Sequence, residues 1–191
     1  AHTRSISTLL IVGIAVSSFL GAFTSFAVYL IGEDSFRITA WMMGYLGGAN
    51  WQKIALLLPP LLFCMAYFYA KRHELNIILN GDEEAKSLGL NVERSKKSLL
   101  IVSSLIIGFS VAFTGMIGFV GLIIPHTLRM ALRTSSNAVL IPASALTGGV
   151  FLVFCDVIAK NALSPVEIPI GVVTSFFGAP FFLYLAFRKH A

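Results

Sequence analysis

Apolar positions in this chain run in long unbroken blocks, and charged positions are gathered into short clusters between them. No Asp, Glu, Lys or Arg occurs between Arg4 and Glu33, Lys53 and Lys71, Lys97 and Arg129, Arg133 and Asp156, or Glu167 and Arg188. A helix needs roughly 20 apolar residues to cross the hydrocarbon of a bilayer, and nothing in a soluble fold asks for charges at that interval. The blocks predict an all-α, polytopic transmembrane helical bundle of six spans. The first is Ile6 to Ile31. The second is Ile54 to Ala70, loosened near its start by Pro59-Pro60. Residues 98–128 carry no charge and would make a single helix about 46 Å long, too long for a crossing of about 30 Å. That stretch holds Gly115, Gly118, Gly121 and Pro125, so it divides into a third span near 98–114 and a fourth near 118–133. The fifth runs from Val139 to Ala159 with Pro142 in its first turn. The sixth runs from Ile168 to Phe187, interrupted at Gly178-Ala179-Pro180.

Composition agrees with lipid as the solvent: 57% hydrophobic residues, 12% charged, mean hydropathy +0.84. The net charge of +5 is no nucleic-acid footprint, because the basic residues lie at the ends of spans rather than on one face. With the N-terminus inside, the inner segments hold Arg4, Lys71, Arg72, Lys86, Arg94, Lys96, Lys97, Arg129, Arg133, Arg188 and Lys189, against Arg37, Lys53 and Lys160 outside. Such an excess marks the cytoplasmic side and puts both termini there, in a plasma (inner) membrane. Trp41, Tyr45 and Trp51 suit an interfacial belt, with segment 33–53 read as a short helix lying along the outer surface. Cys64 and Cys155 fall inside apolar runs and read as small buried hydrophobes. The chain opens at Ala1 without an initiator Met and is expected to be a processed or truncated piece. The run 5–32 is too long for a signal peptide.

Residues 71–97 form the one long polar insert. Asn80 is placed to cap a helix, with Glu83 completing a capping box. Asp82, Glu83 and Glu84 set negative charge at the helix start, Lys86 lies towards its end, and Gly89 is the left-handed stop. Ala85 and Leu88 would share one face. Asn91 then caps a helix running through Lys96 and Lys97 into the third span. A two-turn helix is unstable alone, so its careful ends imply a packing partner.

Here the sequence resembles a known family. Gly81-Asp82-Glu83-Glu84-Ala85-Lys86-Ser87-Leu88-Gly89-Leu90 is similar to the G-x-E-x-A-x-x-L-G segment of FecCD/BtuC-type permease subunits, which serve bacterial ABC importers for iron-siderophore, haem and cobalamin. The likeness continues through Gly115-Met116-Ile117-Gly118-Phe119-Val120-Gly121-Leu122-Ile123-Ile124-Pro125-His126, Leu140-Ile141-Pro142 and Asp156-Val157-Ile158-Ala159-Lys160. It closes with Glu167-Ile168-Pro169-Ile170-Gly171-Val172-Val173-Thr174 and Gly178-Ala179-Pro180-Phe181-Phe182, and Trp41-Met42-Met43-Gly44 also fits. It covers essentially the whole chain. The resemblance implies an ABC type II importer permease fold, with residues 1–191 as one permease domain matching the last six of ten spans and 71–97 as its cytoplasmic coupling insert.

The resemblance also implies roles. Gly81, Asp82, Glu83, Glu84, Ala85, Leu88 and Gly89 would dock in a groove of the ATP-hydrolysing subunit as a helix-in-groove contact, and a cysteine at Ala85 or Ser87 would cross-link to it. Lys160 would meet an acidic residue of the extracytoplasmic substrate-binding protein; the plainer reading is an ion pair with Asp156 four residues away. Ser17, Ser18, Thr24 and Ser25 of the first span and Thr174 and Ser175 of the sixth would line a pathway between two permease copies, although small hydroxyl residues also suit helix packing in lipid. No cofactor is expected on this chain, with ATP and Mg on the partner ATPase, and no metal site or catalytic group. Gly115, Gly118 and Gly121 read as close-packing and turn positions, since no P-loop Lys-Ser/Thr follows. His126 reads as a packing residue. A membrane-embedded enzyme would need converging His, Asp or Glu within the spans, and a secondary transporter several intramembrane carboxylates; Asp156 is too sparse for either. The cargo among iron-siderophores, haem, cobalamin and other metal chelates stays open.

Overall fold

The computed structural model describes residues 2–188, and every regular element among them is helical. In order these are α1 (His2–Ile31), a 3-10 turn (Gly32–Ser35), α2 (Phe36–Met42), α3 (Trp51–Ala70), α4 (Arg72–Ile78), α5 (Asp82–Ser87), α6 (Val92–Thr114), α7 (Val120–Leu132), α8 (Asn137–Asn161) and α9 (Ile170–Arg188). The chain divides into two compact units between Met42 and Met43. Of the cations used to orient the chain, the side chains of Arg4, Arg37, Arg188 and Lys189 lie outside the described residues.

The first unit is α1, the 3-10 turn and α2. Leu10–Ile31 is long and apolar enough to cross a membrane, and its apolar window buries nothing within the chain. The second unit has three more helices of that kind, Trp51–Ala70, Val92–Thr114 and Asn137–Asn161, and two shorter apolar ones, Val120–Leu132 and Ile170–Leu185. Among the described residues six apolar helices therefore follow in the expected order, and four have the length of a full span. The fourth of the six, α7, is the correction. Its 13 residues rise about 20 Å, short of a 30 Å core. Gly115 ends α6 at φ +69 and Phe119 starts α7 at φ +66, so the chain spends 115–119 on the reversal rather than on helix. Gly118 and Gly121, expected at close contacts, have open space where a side chain would stand.

Local caps explain the other boundaries. Asn50 Oδ1 accepts from the Lys53 amide at 2.8 Å, which starts α3 three residues before the expected Ile54. Pro59 and Pro60 lie inside α3 and do not break it. Nor is α9 interrupted at Gly178-Ala179-Pro180. A proline forfeits one amide bond, a loss that packed neighbours in a membrane helix absorb. Gly178 serves packing instead: a Cβ there would run into the Phe119 ring, which also lies 6.1 Å from Phe182. His126 meets Phe181 edge-on at 6.1 Å, so α7 and α9 are joined by aromatic contacts.

The core of this unit is Cys155 and Ala159 of α8 with Ile170 and Val173 of α9, surrounded by Leu46, Ile117, Phe151, Leu152, Ile158 and Ile168. Both cysteines are buried and free. Beside the core, the irregular segment after α2 pairs its backbone with the end of α6 and the start of α9. Gly171 donates to the Met43 carbonyl at 3.0 Å, Ile170 to Gly44 at 3.1 Å, and Tyr45 to Thr114 at 2.9 Å. At membrane depth, non-helical backbone is tolerated only where it is buried in protein or lines a water-filled cavity, and these three bonds pair part of this junction within the chain.

Candidate functional site

The polar insert is more ordered than its composition alone requires. After α3, Lys71 turns the chain into α4, a helix with no expectation from the sequence. Glu74 of α4 accepts from Lys71 Nζ at 2.5 Å and, through its other oxygen, from the Ser95 hydroxyl of α6 at 2.7 Å. Tyr67 donates to Ser98 at 2.8 Å, and Ser98 to the Ser95 carbonyl at 3.1 Å. Asn76, two residues after Glu74, accepts on Oδ1 from both the backbone amide and the side-chain amide of Asn137, at 2.9 and 2.8 Å. None of Glu74, Ser95, Asn76 and Asn137 stands out in the sequence, because each pair joins separate segments.

The short helix α5 follows. Its N-cap is Gly81 at φ +124 without a side-chain cap, which corrects the expected Asn80 capping box. The chain leaves α4 through tight turns, Asn80 and Gly81 donating to the Ile77 and Ile78 carbonyls, and these spend the residues a capping box would use. Asp82 instead reaches across to Lys96 of α6, Nζ to Oδ2 2.6 Å. The far end is as expected. Leu90 donates to Ala85 and Gly89 to Lys86, with Gly89 at φ +81: a Schellman stop that only glycine adopts without strain. Asn91 Oδ1 then accepts from the Arg94 amide at 3.1 Å and starts α6.

These ties decide which α5 residues face outward. Ala85 is 0% exposed, enclosed where α5 packs on α4 and α6, whereas Leu88 is 65% exposed. The expected common face of Ala85 and Leu88 is thus divided. Glu83, Glu84, Lys86, Ser87, Leu88 and Gly89 form the exposed side. A thiol at Ala85 would point into the chain, and Ser87 is the usable cross-linking position.

Electrostatics tighten the base of the insert. The hydrogen bond from Lys71 holds the Glu74 carboxyl below its ordinary 4.5; partial desolvation opposes this and the Ser95 hydroxyl adds to it. Glu74 in turn raises Lys71 above 10.5. A depressed carboxyl stabilises the fold above its unfolded value and loses that contribution as pH falls through the folded one. Replacing Glu74 with Gln therefore lowers the melting temperature at pH 7, and the gap to the unsubstituted protein closes as the pH falls below 4.5. Thermal unfolding in detergent at several pH values checks this; a gap that persists in acid would assign the loss to packing.

At the other end of α8, Lys160 Nζ lies 2.6 Å from Asp156 Oδ2, one helical turn away, with both side chains partly exposed. This is the same-face pair that their spacing allows. Of the pathway candidates, Ser17, Ser18 and Ser25 are exposed on α1, and the Thr24 hydroxyl donates to the Leu20 carbonyl at 2.9 Å. On α9, Ser175 is half-buried. Thr174 is 0% exposed, its hydroxyl on the Gly171 carbonyl at 3.2 Å, and it offers no atom to a pathway in this conformation.

The geometry has close counterparts. A solved structure described as an inward-facing conformation of a metal-chelate type ABC transporter superposes with a TM-score of 0.84 at 31% identity, over 93% of this chain and 58% of that one. The cobalamin import system permease protein BtuC of Halobacterium salinarum is 44% identical over 184 residues, 96% of this chain and 49% of the relative. The hemin transport system permease protein HmuU of Yersinia pestis is 36% identical over 190 residues, 97% and 55% respectively. The chain thus spans about half the length of the curated relatives it matches. The pattern of the FecCD transport family matches residues 1–188. An all-helical membrane fold, a capped insert at one end of α8 and an ion pair at the other, and a family pattern over nearly every residue lead to one conclusion: this chain belongs to the FecCD transport family.

Proposed function

We propose that this chain forms part of the permease subunit of an ATP-binding-cassette importer that carries a metal chelate of the siderophore, haem or cobalamin class into the cytoplasm. It has no catalytic role of its own. Mg-ATP is hydrolysed on separate subunits docked at the exposed side of α5, an extracytoplasmic binding protein delivers cargo at the Lys160 end, and a second permease copy completes the pathway. Both termini and residues 71–97 face the cytoplasm, and the surrounding membrane is the plasma (inner) membrane. The observation that carries this reading is α5 itself. A six-residue helix is too short to be stable alone, yet it is stopped by a Schellman turn, tied to α6 by Asp82–Lys96 and left with a charged outer side. A helix held that firmly for presentation suits a groove on a partner. Among the described residues the only acidic groups in the long apolar spans are Glu93, in the first turn of α6, and Asp156, paired at its helix end, which disfavours an ion-coupled transporter.

In the assembled importer, a cysteine at Ser87 should cross-link to the ATPase subunit, with a yield that changes on adding nucleotide. A cysteine at Ala85 should not, since it is enclosed. No cross-link from Ser87 in an active complex would refute docking at α5.

A further inference from the structure

α8 begins without a cap of its own. Ser136 occupies the capping position and makes no side-chain cap bond, although the first-turn amides of any helix need acceptors. The acceptor comes from elsewhere: Asn76 Oδ1 takes both N–H groups of Asn137. Asn76 and Glu74 are two residues apart on α4, hence about 200° around the helix, and they reach opposite neighbours. Glu74 holds α6 through Ser95, and Asn76 holds α8. The same α4 passes into α5 through the hydrogen-bonded turn at 77–81. From Asn137, α8 continues unbroken for 25 residues, about 37 Å, and packs on α3, α4, α7 and α9 before reaching Lys160.

We propose that Asn76 is a positioning residue of the transport cycle, joining α4 to α8 so that a displacement of α5 is carried into α8 and along it to the Lys160 end. The inference rests on the permease reading given above. It assigns to one side chain the directional contact within the α5–α4–α8 packing, by which a surface helix of six residues moves a distant span. The joint suits the task because both bonds converge on one oxygen. Losing that oxygen removes the hydrogen-bonded tie between α4 and α8, leaves their packing in place, and leaves the α5–α6 contacts untouched.

The test uses the complete importer in proteoliposomes, with its full-length permease, ATPase and binding protein, and measures cargo uptake and ATP hydrolysis together. Asn76→Leu keeps the side-chain size and removes the acceptor, whereas Asn76→Asp keeps an acceptor. Asn76→Leu should assemble and hydrolyse ATP near the unsubstituted rate while uptake per ATP falls about tenfold, and Asn76→Asp should restore the ratio. An unchanged ratio in Asn76→Leu would overturn the proposal, as would uptake and hydrolysis falling in parallel. If Asn76→Leu fails to assemble, the pair Asn76→Cys and Asn137→Cys, with Cys64→Ala and Cys155→Ala, replaces the bond by a disulfide. Uptake retained in the oxidised state supports a joint that moves as one body. Uptake lost on oxidation and regained on reduction refutes it. Absence of ATP-driven uptake in the unsubstituted complex would instead refute the permease reading, and this inference with it.

Discussion

Gly171→Ala should strongly destabilise the second unit, whereas Gly108→Ala should leave it intact or slightly steadier. A Cβ on Gly171 would overlap the Met43 carbonyl oxygen and stand 3.0 Å from that of Met116. Both obstacles are backbone, and neither can swing aside as a flexible side chain could. The Met43 carbonyl is also the acceptor of the Gly171 amide, so relief of the clash costs the hydrogen bond. Overpacking of ordinary cores costs roughly 1–3 kcal/mol, and a backbone clash that also breaks a bond belongs at or above the top of that range. Domains are stable by only about 5–15 kcal/mol, so this is a large share of the total, and detergent-solubilised yield and melting temperature should both fall. Gly108 lies within α6, and a Cβ there meets nothing within 4 Å; alanine in a helix gains about 0.5–1 kcal/mol over glycine. Thermal unfolding monitored by size-exclusion chromatography compares the two. Equal melting temperatures would show that the junction is looser than its hydrogen bonds indicate.

Reversing the charge at Lys160 should weaken capture of the binding protein about ten- to a hundredfold at low salt. The expectation follows from the docking proposed at this end of α8. Steering between complementary patches raises association rates by 10–10³ and fades with ionic strength. Glutamate there would also face Asp156, now 2.6 Å from the lysine, and leave two carboxylates one turn apart. The ion-pair reading gives a different pattern, and Asp156→Asn separates the two. If Lys160 serves only its neighbour, Asp156→Asn and Lys160→Met should lower stability alike and leave capture unchanged. If Lys160 serves the partner, Asp156→Asn releases it and strengthens capture, while Lys160→Met weakens it. Surface-plasmon binding of the cognate binding protein to the reconstituted complex, at low and high salt, makes the distinction.

What the sequence disclosed follows from how far each signal reaches. Uncharged blocks announce helices because the bilayer imposes length and apolarity on every residue of a span. Gly89 and Asn91 were legible because a stop and a cap act within a few residues. Asn80 misled: a capping box is equally local, but it competes with the turn that closes α4, and Gly81 at positive φ wins. Pro180 misled differently. A proline reads as a break in water, yet here packing on α7 holds the helix together around it. The pairing of Asn76 with Asn137 spans 61 positions, and no local rule joins an asparagine in a polar insert to one at the start of a distant apolar block. The division of Ala85 from Leu88 has the same origin, since it depends on where α4 and α6 pass. Among the candidate roles, the insert was visible as a motif, whereas the joint beneath it was visible only as geometry.

The meeting of residues 43–45, 114–116 and 170–171 has a consequence for how the protein is made. A ribosome delivers these segments in order, the last more than fifty residues after the second. Until 170–171 emerge, the carbonyls of Met43 and Gly44 lack the amides that they take in the finished chain. A nascent chain halted before that point therefore leaves this junction open. Completion of α9 is the event that closes it.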